Sequence, residues 1–96
     1  LITKDDGLYL IANTFPFKET KVLAGWESIT GWYWFATELN LQGTDIHFGY
    51  VQGQHEEWGS FSQDELERLN GMVWKIKDCD LPHAGRRNYP GGASNE

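Results

Sequence analysis

Ninety-six residues of 11.0 kDa make one domain rather than two. Hydrophobic residues at 40% and charged residues at 23% are ordinary, whereas aromatics at 15% are high; this balance excludes a collagen, a disulfide-rich miniprotein, a coiled coil and a disordered chain. Fourteen acids against eight Lys and Arg give a net charge of −6, which repels a phosphate backbone, argues against direct nucleic-acid binding and suits a basic protein surface.

Leu8-Tyr9-Leu10-Ile11-Ala12 is an apolar run too short for periodicity to separate strand from helix. Asn13 to Phe17 contains Pro16 and reads as a loop or edge segment. Lys21-Val22-Leu23-Ala24 reads as a short strand ended by Gly25, and Glu27 to Gly31 as a polar turn. Trp32 to Leu39 is the strongest strand, because aromatic and β-branched residues favour a pleated surface. Alternation places Trp32, Trp34, Ala36 and Glu38 on one face and Tyr33, Phe35 and Thr37 on the other. Both faces are bulky, so this strand should be central and covered on both sides. Ile46 to Val51 is the next strand, antiparallel to it because the connection is short. Within it, Gly49 marks a bulge or a place where a large side chain lies over the sheet.

Glu57 to Phe61 reads as a third strand, and a helix follows. Ser62 is its N-cap, Glu65 completes a capping box, and Phe61 staples onto Leu66. Leu66 and Leu69 are expected inside, with Asn70-Gly71 ending about two turns of helix. Met72 to Ile76 alternates as a last strand, with Met72, Trp74 and Ile76 on one face. From Pro82 the composition changes. The expected organisation is a single α+β domain over 1–83 and a flexible tail over 84–96. The fold class is a small twisted antiparallel β-sheet with one short helix packed on it.

Cys79 is the only cysteine, so no intrachain disulfide forms and a reducing, cytoplasmic setting is expected. No apolar run approaches the roughly 18 residues that span a bilayer. The start, Leu1 to Asp6, lacks a secretory signal pattern and an initiator Met, which is expected of a trimmed chain.

Three segments in order carry a resemblance. They are Gly31-Trp32-Tyr33-Trp34-Phe35-Ala36-Thr37-Glu38, then Phe48-Gly49-Tyr50-Val51-Gln52-Gly53, then Glu57-Trp58-Gly59-Ser60-Phe61-Ser62-Gln63-Asp64-Glu65-Leu66-Glu67. With these, Lys21 to Asp80 resembles a family of small uncharacterised proteins, a domain of unknown function, from bacterial plasmids, phages and integrated mobile elements. That resemblance implies a setting rather than a mechanism. Mobile-element proteins of this size often inhibit or modulate host machinery.

No chemistry-bearing pattern stands out. His47, His55, His83 and Cys79 lack the paired spacing of a structural zinc site, so no metal is expected. Asp78 and Asp80 flank Cys79, the wrong electrostatics for a reactive thiol. Ser60 and Ser62 lack a nucleophile elbow. Glu56 and Glu57 should point to opposite sides of a strand, and a glycosidase needs a larger cleft. The scattered glycines form no phosphate loop, so no cofactor is expected. Trp26, Trp32, Trp34, Trp58 and Trp74 are expected in the core, with one or two as alternative anchors for a partner.

The acids are distributed unevenly. Glu38, Asp45, Glu56, Glu57, Asp64, Glu65 and Glu67 lie in a span without Lys or Arg. The resulting expectation is a non-enzymatic protein-binding module of a mobile element. It would inhibit host nucleic-acid-handling or defence machinery by presenting an acidic face. The partner-binding residues would be Glu38, Asp45, Glu56, Glu57, Asp64, Glu67 and Trp58. An alternative is a small-molecule or peptide receptor on the aromatic sheet face, with a pocket containing Trp34 and Tyr50. A third is an enzyme around His47, His55 and Glu57.

Overall fold

The alternation of apolar and polar residues is realised as strands far more than as helix. A computed structural model describes residues 1–11 and 19–86, and the backbone of 89–90. Among these, the strands are β1 (Ile2–Lys4), β2 (Gly7–Ile11), β3 (Glu19–Lys21), β4 (Ala24–Ser28), β5 (Tyr33–Glu38), β6 (Ile46–Gln52), β7 (Glu56–Ser62), β8 (Val73–Lys75) and β9 (Tyr89–Pro90). The one α-helix, α1, is Gln63–Glu67. The strands form two sheets, ordered β3-β2-β1-β9 and β7-β6-β5-β4-β8. All pairings are antiparallel except β1 with β9.

The chain is therefore mainly β, not α+β. The antiparallel sheet and a helix after its third long strand are present. What the sequence missed is that the first three strands, together with β9, build a second sheet. The ambiguous run at Leu8 is its strand β2, buried at Leu8 and Leu10.

β5 is central, as its two bulky faces imply. One face meets the smaller sheet: Phe35 is buried with Leu8, Leu10, Val22, Ile76 and Leu81. The other face meets α1 and β8: Ala36 is buried with Ala24, Trp26, Leu66 and Val73. Burying a side chain such as Phe35 stabilises the fold by about 1.5–3 kcal/mol.

Several expected boundaries shift. Gly25 lies inside β4 rather than ending a strand; a Cβ there would sit 2.8 Å from Leu81 Cδ1. Residues 12–18, which include the loop expected at Asn13 to Phe17, lie outside the described residues. The bulge falls on β5, not at Gly49. Ala36 pairs with Gly49 and Glu38 with Phe48, leaving Thr37 as the extra residue. That extra residue moves Glu38 onto the face opposite Trp34 and Ala36. Gly49 is required for a different reason: a Cβ would lie 1.8 Å from the Phe35 carbonyl oxygen. The large side chain over a glycine is Trp32, stacked above Gly53.

Helix α1 runs five residues and stops short of two turns. Leu66 is buried, but Leu69 lies beyond the helix and is exposed. Gly71, at φ 82°, supplies the left-handed turn into β8. In β8 the buried residue is Val73, and Met72 and Trp74, expected on one face with Ile76, are exposed. Ile76 is buried past the strand end.

Residues 84–86, assigned to the tail by composition, are held against the body. Gln52 and Arg86 exchange two hydrogen bonds, 2.8 and 3.2 Å, and the Arg86 guanidinium donates to the Gly53 carbonyl at 2.8 Å. Gly85 packs where a Cβ would meet Leu1 and Phe35. The rest of the expected tail, apart from the backbone of β9, lies outside the described residues.

Candidate functional site

The β6–β7 hairpin and α1 carry most of the residues singled out by charge. The two strands run in unbroken register from Ile46↔Ser62 to Gln52↔Glu56. Val51↔Glu57 and Tyr50↔Trp58 follow in the same ladder, so Glu56 shares the face of Trp58 and Glu57 takes the other. The adjacent glutamates therefore diverge as their spacing implies. On the first face, Trp58 stacks on Phe48 with centroids 6.0 Å apart and meets Tyr50 edge-on at 5.6 Å. The Tyr50 hydroxyl donates to Glu56 at 2.5 Å. Trp58 stays 44% exposed because β7 is the sheet's outer strand.

The other end of β7 is a capping cluster. Ser62 Oγ accepts from the Glu65 N–H at 3.1 Å, as an N-cap should. The same hydroxyl donates to Asp45 Oδ2, which also accepts from the Asp64 N–H at 3.2 Å. These bonds, led by the one from Ser62, hold the Asp45 carboxyl below its ordinary value. Asp45 thus serves a second orphan N–H of the helix. Sequence spacing alone does not reveal it, since Asp45 is seventeen residues from Ser62. Gln63 Nε2 donates to Glu67 at 2.9 Å, and Asp64, Glu67 and Arg68 line a shallow groove.

The acids form two groups rather than one patch. Asp45, Asp64, Glu65 and Glu67 belong to the α1 end, and Glu38 stands apart from them at the end of β5, on the sheet face opposite α1. Glu56 and Glu57 are six and five residues from Ser62, about 20 and about 17 Å along the strand. Among the described side chains, Arg68 lies beside Asp64 and Glu67, and Arg86 lies at the hairpin turn. The described lysines lie elsewhere. Lys4 pairs with Glu19, Lys21 is 3.9 Å from Asp6, and Lys75 belongs to β8.

The imidazoles do not converge. His47 is buried at 1% exposure and stacked on Trp26 with centroids 5.3 Å apart. Its Nδ1 accepts from the Asn40 N–H at 3.0 Å and its Nε2 pairs with Gln63 Oε1 at 2.8 Å. An amide oxygen only accepts, so Nε2 carries the proton and the ring is the neutral tautomer. This is a fully engaged structural residue, more buried than a half-covered strand histidine. His55 is exposed in the hairpin turn and His83 in a 3₁₀ turn. His47 and Glu57 are four pairs apart in the ladder, about 13 Å. Among the described residues no His, Cys, Asp or Glu cluster could hold a metal, and Cys79 is exposed.

Of the five tryptophans only Trp26 is fully buried, at 1%. Trp58 and Trp74 are on outer strands, where one face runs past its cover. Trp34 and Tyr50 lie on opposite sheet faces, because Trp34 pairs with Val51 and Tyr50 with Phe35. An apolar groove instead opens between Trp32, Trp34, Ile29, Leu69 and Met72, with a volume of about 170 Å³.

Compared with known proteins, the chain matches no protein-family model, no curated protein and no solved structure. Among the described residues no helix is long and apolar enough to cross a membrane.

Proposed function

We propose that the chain is a non-catalytic protein-binding module that meets a basic partner surface with its β7–α1 flank. One observation carries this reading. The span Glu38 to Glu67 holds seven acids and no Lys or Arg, and six of them, Asp45, Glu56, Glu57, Asp64, Glu65 and Glu67, lie at the two ends of one exposed strand. Such a field attracts a basic partner and speeds the encounter. Trp58, half-exposed between the two groups, supplies the aromatic anchor that interface hot spots favour. In the mobile-element setting that the resemblance implies, the partner class is host nucleic-acid-handling or defence proteins, the setting is the cytoplasm and the effect is inhibition.

Immobilised protein should retain purified host nucleic-acid enzymes at low salt and release them as salt rises. Reversal of Glu56, Glu57, Asp64 and Glu67 to Lys should abolish retention. Retention unchanged by that reversal would reject the reading.

A second reading draws on the groove at Trp32 and Trp34. Its apolar lining suits a small aromatic ligand or a peptide side chain. A broad ligand screen by thermal shift should give hits lost in Trp32→Ala. A screen without hits would dismiss it.

A further inference from the structure

β7 is seven residues long and ends its sheet, bonded among the described residues on one side only, to β6. Two bonds at its ends fix which backbone groups face outward. The Gly53 N–H donates to the His55 carbonyl at 3.2 Å, and the Gln63 N–H to the Asp45 carbonyl at 3.0 Å. In an antiparallel ladder such bonds flank the widely spaced pairs, here Gln52↔Glu56 and Ile46↔Ser62. Counting inward from either end gives the same phase. Glu57, Gly59 and Phe61 turn their N–H and C=O groups toward β6. Glu56, Trp58 and Ser60 turn theirs away from the sheet.

This edge lacks the usual protection. It has no Lys, no Pro and no bulge, and among the described residues nothing lies within 4 Å of where a Cβ of Gly59 would be. The charges on the strand itself are acidic, Glu56 and Glu57 at one end, and acids also lead beyond the other, where Asp64 and Glu67 outnumber Arg68. A second copy laid antiparallel would bring the Glu56 end of one chain beside the Asp64 end of the other. Like charges oppose that pairing, whereas a basic strand is drawn to both ends.

We infer that β7 accepts an added strand from its partner: an extended segment with Lys or Arg at both ends that pairs with the backbone of Glu56, Trp58 and Ser60. Trp58 covers a side chain of that segment and offers its ring face to a cation. The inference rests on the acidic-flank reading and adds its mode of binding.

The probe is a peptide of alternating Val and Thr with a Lys pair at each end, titrated into the full chain and followed by NMR. The amides of Glu56, Trp58 and Ser60 should shift and gain protection from hydrogen exchange. A Glu-ended peptide should bind at least about tenfold more weakly. Ser60→Pro removes an outward N–H without removing a β6 bond, so it should keep the fold and abolish binding. Ser60→Thr should bind as the parent does. Binding that survives Ser60→Pro yet disappears on reversal of Glu56, Glu57, Asp64 and Glu67 would overturn strand addition and leave the acidic flank standing. A Lys-ended peptide that shifts no β7 amide would overturn strand addition. If the four reversals also leave partner capture unchanged, the acidic flank falls with it.

Discussion

β7 and β8 close the same sheet on opposite sides, about 19 Å apart across four strand spacings, and they close it differently. β8 is three residues long, carries Lys75 and pairs with β4 through Val73, Trp74 and Lys75 only. The Lys75 ammonium lies 5.9 Å from the Trp26 ring centre. A short strand with a lysine is a managed edge that offers little to another chain. β7 is more than twice as long, carries no base and is flanked by acids. Its charges bar a like-charged copy but not a basic segment. The difference teaches that edge length and charge sign together decide whether an open strand is closed off or kept available.

The largest effect should come from inverting this contrast. Reversal of Glu56, Glu57, Asp64 and Glu67 to Lys should weaken partner affinity on the order of 100-fold, read by titration calorimetry. Lys75→Glu at the other edge should change it less than about threefold, since single rim charges contribute little.

Next come the supports behind each edge. His47→Ala should cost about 2–4 kcal/mol in urea unfolding, because it opens space beside Trp26 and orphans the Asn40 N–H. Val73→Ala behind β8 should cost less, about 1–3 kcal/mol, as the smaller buried residue. Equal losses would erase the view that the β7 side is pinned by a polar clamp. Ser62→Ala should cost about 1 kcal/mol through the lost N-cap.

The smallest effect concerns pH. The bonds from Ser62 and Asp64 lower the folded-state value of Asp45 below its unfolded value near 3.8. The stabilisation from that carboxylate is therefore present above its unfolded value and lost as pH falls through the lowered folded value. Asp45→Asn should flatten the acid limb of the stability–pH curve, followed by thermal melts, while Lys75→Glu should leave that contribution in place.

The legible parts of the fold were those set by local chemistry. Aromatic alternation marked β5, and its bulk on both faces placed it at the sheet centre. Ser62 and Glu65 marked the helix start through a local cap. What stayed hidden depended on long-range packing. The run around Leu8 is too short for its period to be read, so its place in a second sheet, packed on Phe35, is not encoded locally. Trp58 and Trp74 look like core residues by alternation, but alternation says which face a side chain takes and not whether that face is covered. The candidate site was half legible. The acids were visible as a base-free run, whereas the two-group arrangement follows from the hairpin register. The shift of Glu38 to the other face follows from the extra residue at Thr37, which no composition rule exposes.

The most direct test is a single NMR titration of the Lys-ended peptide that reads both edges at once. Shifts and salt-sensitive protection confined to Glu56, Trp58 and Ser60, with Val73 to Lys75 unmoved, are the expected result. Equal shifts at both edges, or shifts confined to β8, would contradict the claim that the long acid-flanked strand is the surface this protein presents.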